Sequence, residues 1–295
     1  MHTQRLLFPV DLTPPPPPSE GTPRYDEIGA PGMTDEKFSI TFKKRLASHD
    51  RGRQRVYRAT MTVDSDQEKH DVVCKIAFQR SFCDLLQKEA DWYTDPLLDH
   101  LHGVATPKSW GCFRGETDEG LTTVLVLADH GEELRIPFEQ QPQQFRLDIA
   151  SILFNLHNRG IAHGDFREHH IVVNQVDGKF QPVLVDFSQM HLRRCPYKTS
   201  VFEAYSPEPD GDLICSELLE GIDALHLWRP EARYFNYRIP FEHAGSPEEI
   251  MQSVPRSRFA SERECVVEAY RAYNELVDWY ETREKWEDAE VRTKP

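Results

Sequence analysis

One lysine interrupts an apolar segment and needs a partner. In Asp71-Val-Val-Cys-Lys-Ile-Ala77 the apolar run predicts a buried β-strand that contains Lys75. Burying an ammonium group without a counter-charge is costly, so this strand requires a carboxylate nearby. The following segment, Asp84 to Leu98, reads as a helix and supplies Glu89. The sequence therefore predicts a buried ion pair between a strand and the helix that follows it.

Four more segments have strand-like patterns and surround this pair in the sequence. With the lysine strand they predict a small antiparallel lobe of five strands and one helix over residues 37–131. These segments are Phe38–Phe42, Val56–Val63, Lys108–Phe113 and Thr122–Ala128.

Residues 1–36 are predicted to be a flexible, proline-rich N-terminal extension. The unbroken run Pro14–Pro18 favours a stiff polyproline II segment. Such a run acts as a spacer or as a ligand for a proline-recognition module, and both alternatives remain open.

Residues 132–295 are predicted to form a larger, mainly helical lobe. Apolar residues at helical spacing indicate a buried helix that ends near Asn158-Arg-Gly160. Asp177-Gly178 joins two short apolar runs and is typical of a β-hairpin. Apolar and tyrosine residues from Val266 to Tyr280 predict a long C-terminal helix that packs on one face.

Two short motifs flank the predicted hairpin. His163-Gly-Asp165 precedes it, and Asp186-Phe-Ser188 follows it. With Lys75 and Glu89 they form an ordered series: strand lysine, helix glutamate, loop aspartate and aspartate-phenylalanine. This series resembles the protein-kinase-like superfamily over roughly Phe38 to Ser188. The resemblance implies an α+β, two-lobed fold that binds ATP and Mg²⁺.

The resemblance also assigns roles to individual residues. Lys75, held by Glu89, would contact the ATP phosphates, and Asp165 would accept the proton of the attacking hydroxyl. Asp186 would ligate Mg²⁺, and Arg167 would reach the transferred phosphoryl group. The segment Leu127–Gly131 would be the hinge that contacts adenine, which makes Leu127 and Asp129 candidate cofactor-binding residues.

The His-Gly-Asp motif resembles the aminoglycoside and choline kinase branch. Protein kinases usually carry arginine where Gly164 stands, and that arginine pairs with an activation-loop phosphate; its absence suggests no such switch. A group of fungal, especially mushroom-type, kinase-like proteins is also similar, with a histidine and a cysteine after the Asp-Phe segment, here His191 and Cys195.

The phosphate-binding loop departs from the family pattern. The family motif is G-x-G-x-x-G, whereas His49-Asp-Arg-Gly-Arg-Gln54 contains only Gly52. Close approach of backbone to phosphate favours glycine. Arg51, Arg53 and Arg55 would contact phosphates by side chain instead, or the segment is a solvated basic turn.

The second metal-ligand position also departs from the family. His170 stands where the family has asparagine, and Mg²⁺ prefers oxygen ligands. Three alternatives remain open: His170 donates a hydrogen bond to a phosphate or to Asp165, it binds a softer metal such as Mn²⁺, or transfer activity has been lost. His169, His170, His191 and Cys195 do not form a complete zinc-ligand pattern, so no zinc site is predicted.

Charge and cysteine usage restrict the partners and the compartment. The formal net charge is −14, which disfavours nucleic acids and anionic membrane surfaces. There is no apolar run of about 18 residues and no secretory-signal pattern. Six scattered cysteines without a Cys-x-x-Cys pair are interpreted as free thiols, so a cytoplasmic, reducing location is expected.

Three functions are compatible with the sequence. The leading hypothesis is an ATP-dependent phosphotransferase whose acceptor is a hydroxyl, on a small molecule rather than on a protein. The first alternative is a pseudokinase, a nucleotide-binding or scaffold module without transfer, which His170 and the missing glycines favour. The second is another transfer on the same fold, such as nucleotidyl transfer, because a fold does not fix its function.

Overall fold

The computed structural model describes residues 2–9, 25–32, 37–199, 202–209, 213–255 and 261–293. Within them the protein is α+β, with one large sheet and five α-helices. The chain divides into two compact units. The first contains Met1–Glu132, Ala162–Asp165 and His170–Leu192, and the second contains Glu133–Ile161, Phe166–His169 and Arg193–Pro295. The division therefore differs from a single boundary after residue 131.

The first unit is built on a closed seven-stranded sheet with the order β1-β2-β6-β7-β5-β4-β3. Neighbouring strands are antiparallel except for β1 and β3, whose parallel pairing closes the sheet. The strands are β1 (His2–Pro9), β2 (Tyr25–Gly32), β3 (Lys37–His49), β4 (Gln54–Val63), β5 (Lys69–Phe78), β6 (Ser109–Thr117) and β7 (Gly120–Ala128).

Two of these strands correct the predicted five-stranded lobe and the predicted N-terminal extension. Residues 2–9 and 25–32 pair with each other and complete the sheet. Leu6 and Phe8 are buried, and the Phe8 ring meets Phe42 edge-on at 5.9 Å. Burial of these apolar side chains favours the strand over a free extension. The run Pro14–Pro18 lies outside the described residues.

Alternate side chains of each strand point to the inside and to the outside of the closed sheet. Val72, Cys74 and Ile76 of β5 belong to the core cluster inside the sheet. Since successive side chains of a strand point to opposite faces, Lys75 points to the other face. Helix α1 (Arg80–Trp92) supplies Glu89 to that lysine. Its buried residues Cys83, Leu86, Glu89 and Ala90 recur at helical spacing. The helix thus begins and ends earlier than the predicted range 84–98.

The predicted hairpin is confirmed and leads to the Asp-Phe-Ser motif. It consists of β10 (Ile171–Val176) and β11 (Lys179–Leu184), paired antiparallel around Asp177-Gly178. Both turn residues have positive φ, as this tight turn requires. Three further strands have two residues each: β8 (Glu132–Glu133), β9 (Ile161–Ala162) and β12 (His191–Leu192).

The second unit contains the other four helices and a short hairpin. Arg146 of α2 is fully buried, where it pairs with Glu287 at 3.0 Å and donates to the carbonyl of Leu225. The predicted long C-terminal helix is confirmed. Within the described residues, no helix combines the length and the apolar character needed to cross a bilayer. The elements are α2 (Gln143–Asn158), α3 (Ser216–Ala224), β13 (Glu231–Tyr234), β14 (Tyr237–Pro240), α4 (Pro247–Gln252) and α5 (Glu262–Trp286).

Candidate active site

Lysine 75 of the first unit contacts two carboxylates. Its Nζ lies 2.5 Å from Oε1 of Glu89 on α1 and 3.3 Å from Oδ2 of Asp186, which follows β11. The lysine side chain is 15% exposed and that of Glu89 is 5% exposed. The buried ammonium therefore has the partner that the apolar strand requires, and Asp186 joins the pair.

The charges of this cluster are coupled. Burial lowers the pKa of Lys75, but Glu89 and Asp186 outweigh burial and raise it above its ordinary value, so the ammonium form persists. Burial raises the pKa of Glu89 more than Lys75 lowers it. Burial also raises the pKa of Asp186, yet the Lys75 ammonium and the hydrogen bonds from Ser188 hold it well below the ordinary range. Asp186 is consequently ionised at neutral pH and available to a cation.

The backbone around Asp186 is fixed by several contacts. Asp186 has φ of 68°, a left-handed conformation that aspartate tolerates better than most residues. Its backbone N–H donates to the Tyr93 hydroxyl at 3.2 Å, and its Oδ1 accepts from Ser188 N–H at 3.3 Å. Phe187 N–H donates to Glu89 Oε1 at 3.3 Å, and its ring stacks on Tyr93 at 4.2 Å. The same glutamate therefore anchors both the lysine and the Asp-Phe segment.

The His-Gly-Asp motif packs directly against that segment. The buried His163 places Nε2 3.1 Å from the carbonyl of Val185. Gly164 has φ of +82°, and a Cβ there would lie 2.4 Å from the carbonyl oxygen of Gln189. No side chain fits at this distance, so the structure gives a steric reason for glycine where protein kinases carry arginine. The sequence shows the glycine, but this steric reason is visible only in the structure.

His170 lies between the two carboxylates of the candidate site. Its Nδ1 is 2.7 Å from the backbone carbonyl oxygen of Asp165, which can only accept, so Nδ1–H is the donor. In the neutral ring Nε2 then carries the lone pair, 3.8 Å from Asp186 Oδ2. Asp165 Oδ2 lies 3.7 Å from Nδ1. The histidine thus links the candidate base to the candidate metal ligand.

A divalent ion fits the donor set at Asp186 and His170. Typical bonds from such ions to oxygen or nitrogen are about 2.1 Å, so one ion can contact two donors separated by 3.8 Å. A mixed oxygen and nitrogen pair favours Mn²⁺ over Mg²⁺, because imidazole is a softer donor than the amide oxygen of asparagine.

Leu127 and Asp129 are engaged within the first unit. Leu127 is buried in β7 between Val73 and Ser109 of the adjacent strands. Asp129 forms an ion pair with Arg58 at 2.5 Å and accepts from Gly131 N–H at 2.9 Å. Both side chains are therefore engaged in contacts within the protein. The hinge role stays a prediction, and it would depend on the backbone groups of this segment.

The remaining candidate residues carry positive charge. Arg167 is exposed and belongs to the second unit, so its role also stays a prediction. Arg55 forms a two-bond contact with Glu119, at 2.8 and 3.0 Å, and lies over the Phe78 ring. Because Glu119 neutralises this arginine, Arg55 is a poor candidate for phosphate contact.

Comparison with known proteins points to a kinase family. A profile of the lipopolysaccharide kinase (Kdo/WaaP) family matches residues 119–201. The matched segment contains Asp165, His170 and Asp186, but it begins after Lys75 and Glu89. No curated protein matches the chain. The match supports the protein-kinase-like superfamily and a kinase-type phosphotransferase; it does not bear on the fungal resemblance.

Proposed function

We propose that the protein is a phosphotransferase of the two-lobed kinase-like type that moves the γ-phosphoryl group of ATP to a sugar hydroxyl. The observation that carries the proposal is the convergence of Lys75, Glu89 and Asp186 at 2.5 and 3.3 Å. A buried cation beside an ionised aspartate is the arrangement that binds a metal-bound triphosphate, and the chain is otherwise strongly acidic.

Lys75 and Asp186 perform the electrostatic part of the reaction. Lys75 neutralises phosphate charge and is fixed in place by Glu89, so no reorganisation is needed during the reaction. Asp186 and His170 would hold the divalent ion, which supplies charge neutralisation at the phosphates when bound. Low exposure of Lys75 and Glu89 strengthens these interactions by excluding water.

Asp165 acts on the acceptor. Its carboxylate would accept the proton of the attacking hydroxyl and orient the oxygen in line with the phosphoryl group. The hydrogen bond from His170 to its backbone carbonyl holds the loop that carries this carboxylate. The matched family is described as lipopolysaccharide kinases, and this supports a sugar hydroxyl over a protein side chain as the acceptor.

The test of this function is transfer of labelled phosphate from ATP to a panel of acceptors. The panel contains simple sugars, amino sugars, lipopolysaccharide and a generic protein substrate. We expect label in a sugar-containing acceptor and a loss of about 10² to 10⁴-fold in Asp165→Asn, the range for a positioned general base. Label found only in protein, or an AMP adduct found by mass spectrometry of the products, would refute the sugar acceptor.

The metal preference of the wild type is a separate prediction. We expect Mn²⁺ to support faster transfer than Mg²⁺, because His170 presents nitrogen where the family has an amide oxygen. His170→Asn should shift the ratio of Mn²⁺ to Mg²⁺ activity toward Mg²⁺ by roughly tenfold, equivalent to about 1.4 kcal/mol of preferential coordination. Steady-state rates with each ion measure the ratio.

His169→Asn is the matched control for that prediction, since His169 is the adjacent histidine and its side chain is 64% exposed. It should leave the ratio unchanged. An unchanged ratio in His170→Asn would exclude His170 as a metal ligand and leave it as a hydrogen-bond donor to the catalytic loop.

A nucleotide-binding module without transfer is the second candidate function. It is favoured by the engagement of Arg55 with Glu119 and by the single glycine in the segment 49–54. This alternative predicts ATP binding without label in any acceptor, and without slow ATP hydrolysis that depends on Asp165. The labelling experiment therefore distinguishes it from the proposed enzyme.

A further inference from the structure

Three side chains that are capable of binding a metal ion, separate from the candidate active site, meet inside the second unit. They are His157 at the end of α2, Cys195 in the segment after β12, and Cys215 immediately before α3. Their ligand atoms all lie within 4.8 Å of one another. Cys215 Sγ is 3.2 Å from His157 Nδ1. The exposed fractions are 0, 1 and 6%, so water does not compete freely for these atoms.

The histidine is oriented for ligation. Its Nε2 lies 2.8 Å from Glu217 Oε2, and a carboxylate only accepts, so Nε2–H is the donor. The lone pair of the neutral ring therefore resides on Nδ1, which points at Cys215. A carboxylate that fixes the tautomer of a ligating histidine is a common feature of zinc sites.

We propose that His157, Cys195 and Cys215 bind a Zn²⁺ ion. Two thiolates and one imidazole match the preference of zinc for sulfur and nitrogen, and a water molecule would complete the tetrahedron. Two thiolate charges balance the two charges of the ion, so the ion and its three ligands together carry no net charge. The ion cross-links α2, the segment after β12 and the start of α3, which are separated by long stretches of sequence.

The second cysteine supports a metal over a nucleophile. The group Cys215–His157–Glu217 has the connectivity of a nucleophile, a base and an orienting acid. Such a group uses one thiol, whereas here the Cys195 thiol also lies within 4.8 Å of the other two ligand atoms. When Zn²⁺ binds, it replaces the two thiol protons, which are released to solvent.

The residues that approach Cys195 are distant from it in the sequence. His191, the nearest histidine to Cys195 in the sequence, is exposed and lies in the first unit. The side chains that meet Cys195 come instead from His157 and Cys215. No Cys-x-x-Cys motif marks the group, because each ligand comes from a different segment. The proposal is independent of phosphotransfer and needs no nucleotide.

Cobalt titration of the full chain tests the site. The reduced protein is stripped with a chelator and titrated with Co²⁺, followed by displacement with Zn²⁺. We expect thiolate-to-cobalt charge-transfer absorption in the near ultraviolet that corresponds to one thiolate-bound ion per chain and is lost in the double variant Cys195→Ser, Cys215→Ser. Cys265→Ser, a substitution in α5, is the matched cysteine control and should keep the absorption.

Glu217→Gln keeps the result interpretable if the double variant fails to fold. It leaves all three ligands in place and should weaken Zn²⁺ binding by about 10 to 100-fold, measured by competition with a chelator. The proposal is overturned if the stripped wild type shows no thiolate-to-cobalt absorption, if that absorption persists in the double variant, or if mass spectrometry finds Cys195 and Cys215 joined as a disulfide.

Discussion

Asp186→Asn is expected to lower the rate of phosphoryl transfer about 10³-fold. The substitution removes the ionised ligand that Lys75 and His170 hold at 3.3 and 3.8 Å. A bound metal ion that neutralises phosphate charge lowers the activation free energy by several kcal/mol. A loss of about 4 kcal/mol of this stabilisation corresponds to a rate about 10³-fold lower. Single-turnover transfer at saturating ATP measures the loss directly, because it separates chemistry from product release.

The matched control for this variant is Asp177→Asn. Asp177 is an exposed turn residue of the first unit with φ of 51°, so both substitutions place asparagine in a left-handed conformation. Asparagine tolerates that conformation, and neither variant should unfold. Equal rates in Asp186→Asn and Asp177→Asn would remove Asp186 from the reaction.

Gly164→Ala is expected to have the largest effect on stability. The left-handed backbone costs an L-residue about 1 to 2 kcal/mol, and overpacking against fixed atoms adds about 1 to 3 kcal/mol. The methyl group would lie 2.4 Å from the carbonyl oxygen of Gln189, which is backbone and cannot rotate away. We therefore expect the free energy of unfolding to fall by about 2 to 5 kcal/mol. Urea denaturation measures it, as a lower midpoint with an unchanged slope.

Gly178→Ala separates the two contributions. Gly178 has φ of +77°, and a methyl group added there would meet no atom within 4 Å. Its substitution should show the backbone cost alone, about 1 to 2 kcal/mol. If both variants lose equal stability, the close approach of the His163–Asp165 loop to the Gln189 carbonyl does not restrict residue 164.

The Lys75 cluster was largely predictable because its signal is local. A charged residue in an apolar strand demands a counter-ion, and the next helix offers Glu89. The hairpin was predictable for the same reason, since Asp177-Gly178 marks its turn. The ordered motifs along the chain then indicated that Asp186 belongs to the same site, and the structure places its carboxylate beside Lys75.

The two N-terminal strands were missed because their signal is not local. Leu6 and Phe8 form only a short apolar patch, and the proline run after them suggested an extension. Their burial depends on an edge supplied by β3, a contact that periodicity within the segment does not report. The predicted strand count of the sheet was therefore too low.

The full set of contacts of the two histidines is not readable from the sequence, for a related reason. A hydrogen bond from His170 to Asp165 is one of the alternatives that the sequence leaves open, but only geometry shows that Nδ1–H donates to the Asp165 carbonyl and leaves Nε2 facing Asp186. His157 and Cys215 are 58 residues apart, so no spacing motif joins them. Such pairs arise from tertiary packing and leave no periodic trace.

Calorimetric titration with a non-hydrolysable ATP analogue, with and without Mn²⁺, tests the central claim most directly. If Lys75 and Asp186 form a site for a metal-bound triphosphate, the wild type binds the analogue, the divalent ion tightens binding, and Asp186→Asn removes the effect of the ion. Absence of binding to the wild type, or binding that neither the ion nor Asp186→Asn alters, would contradict the claim.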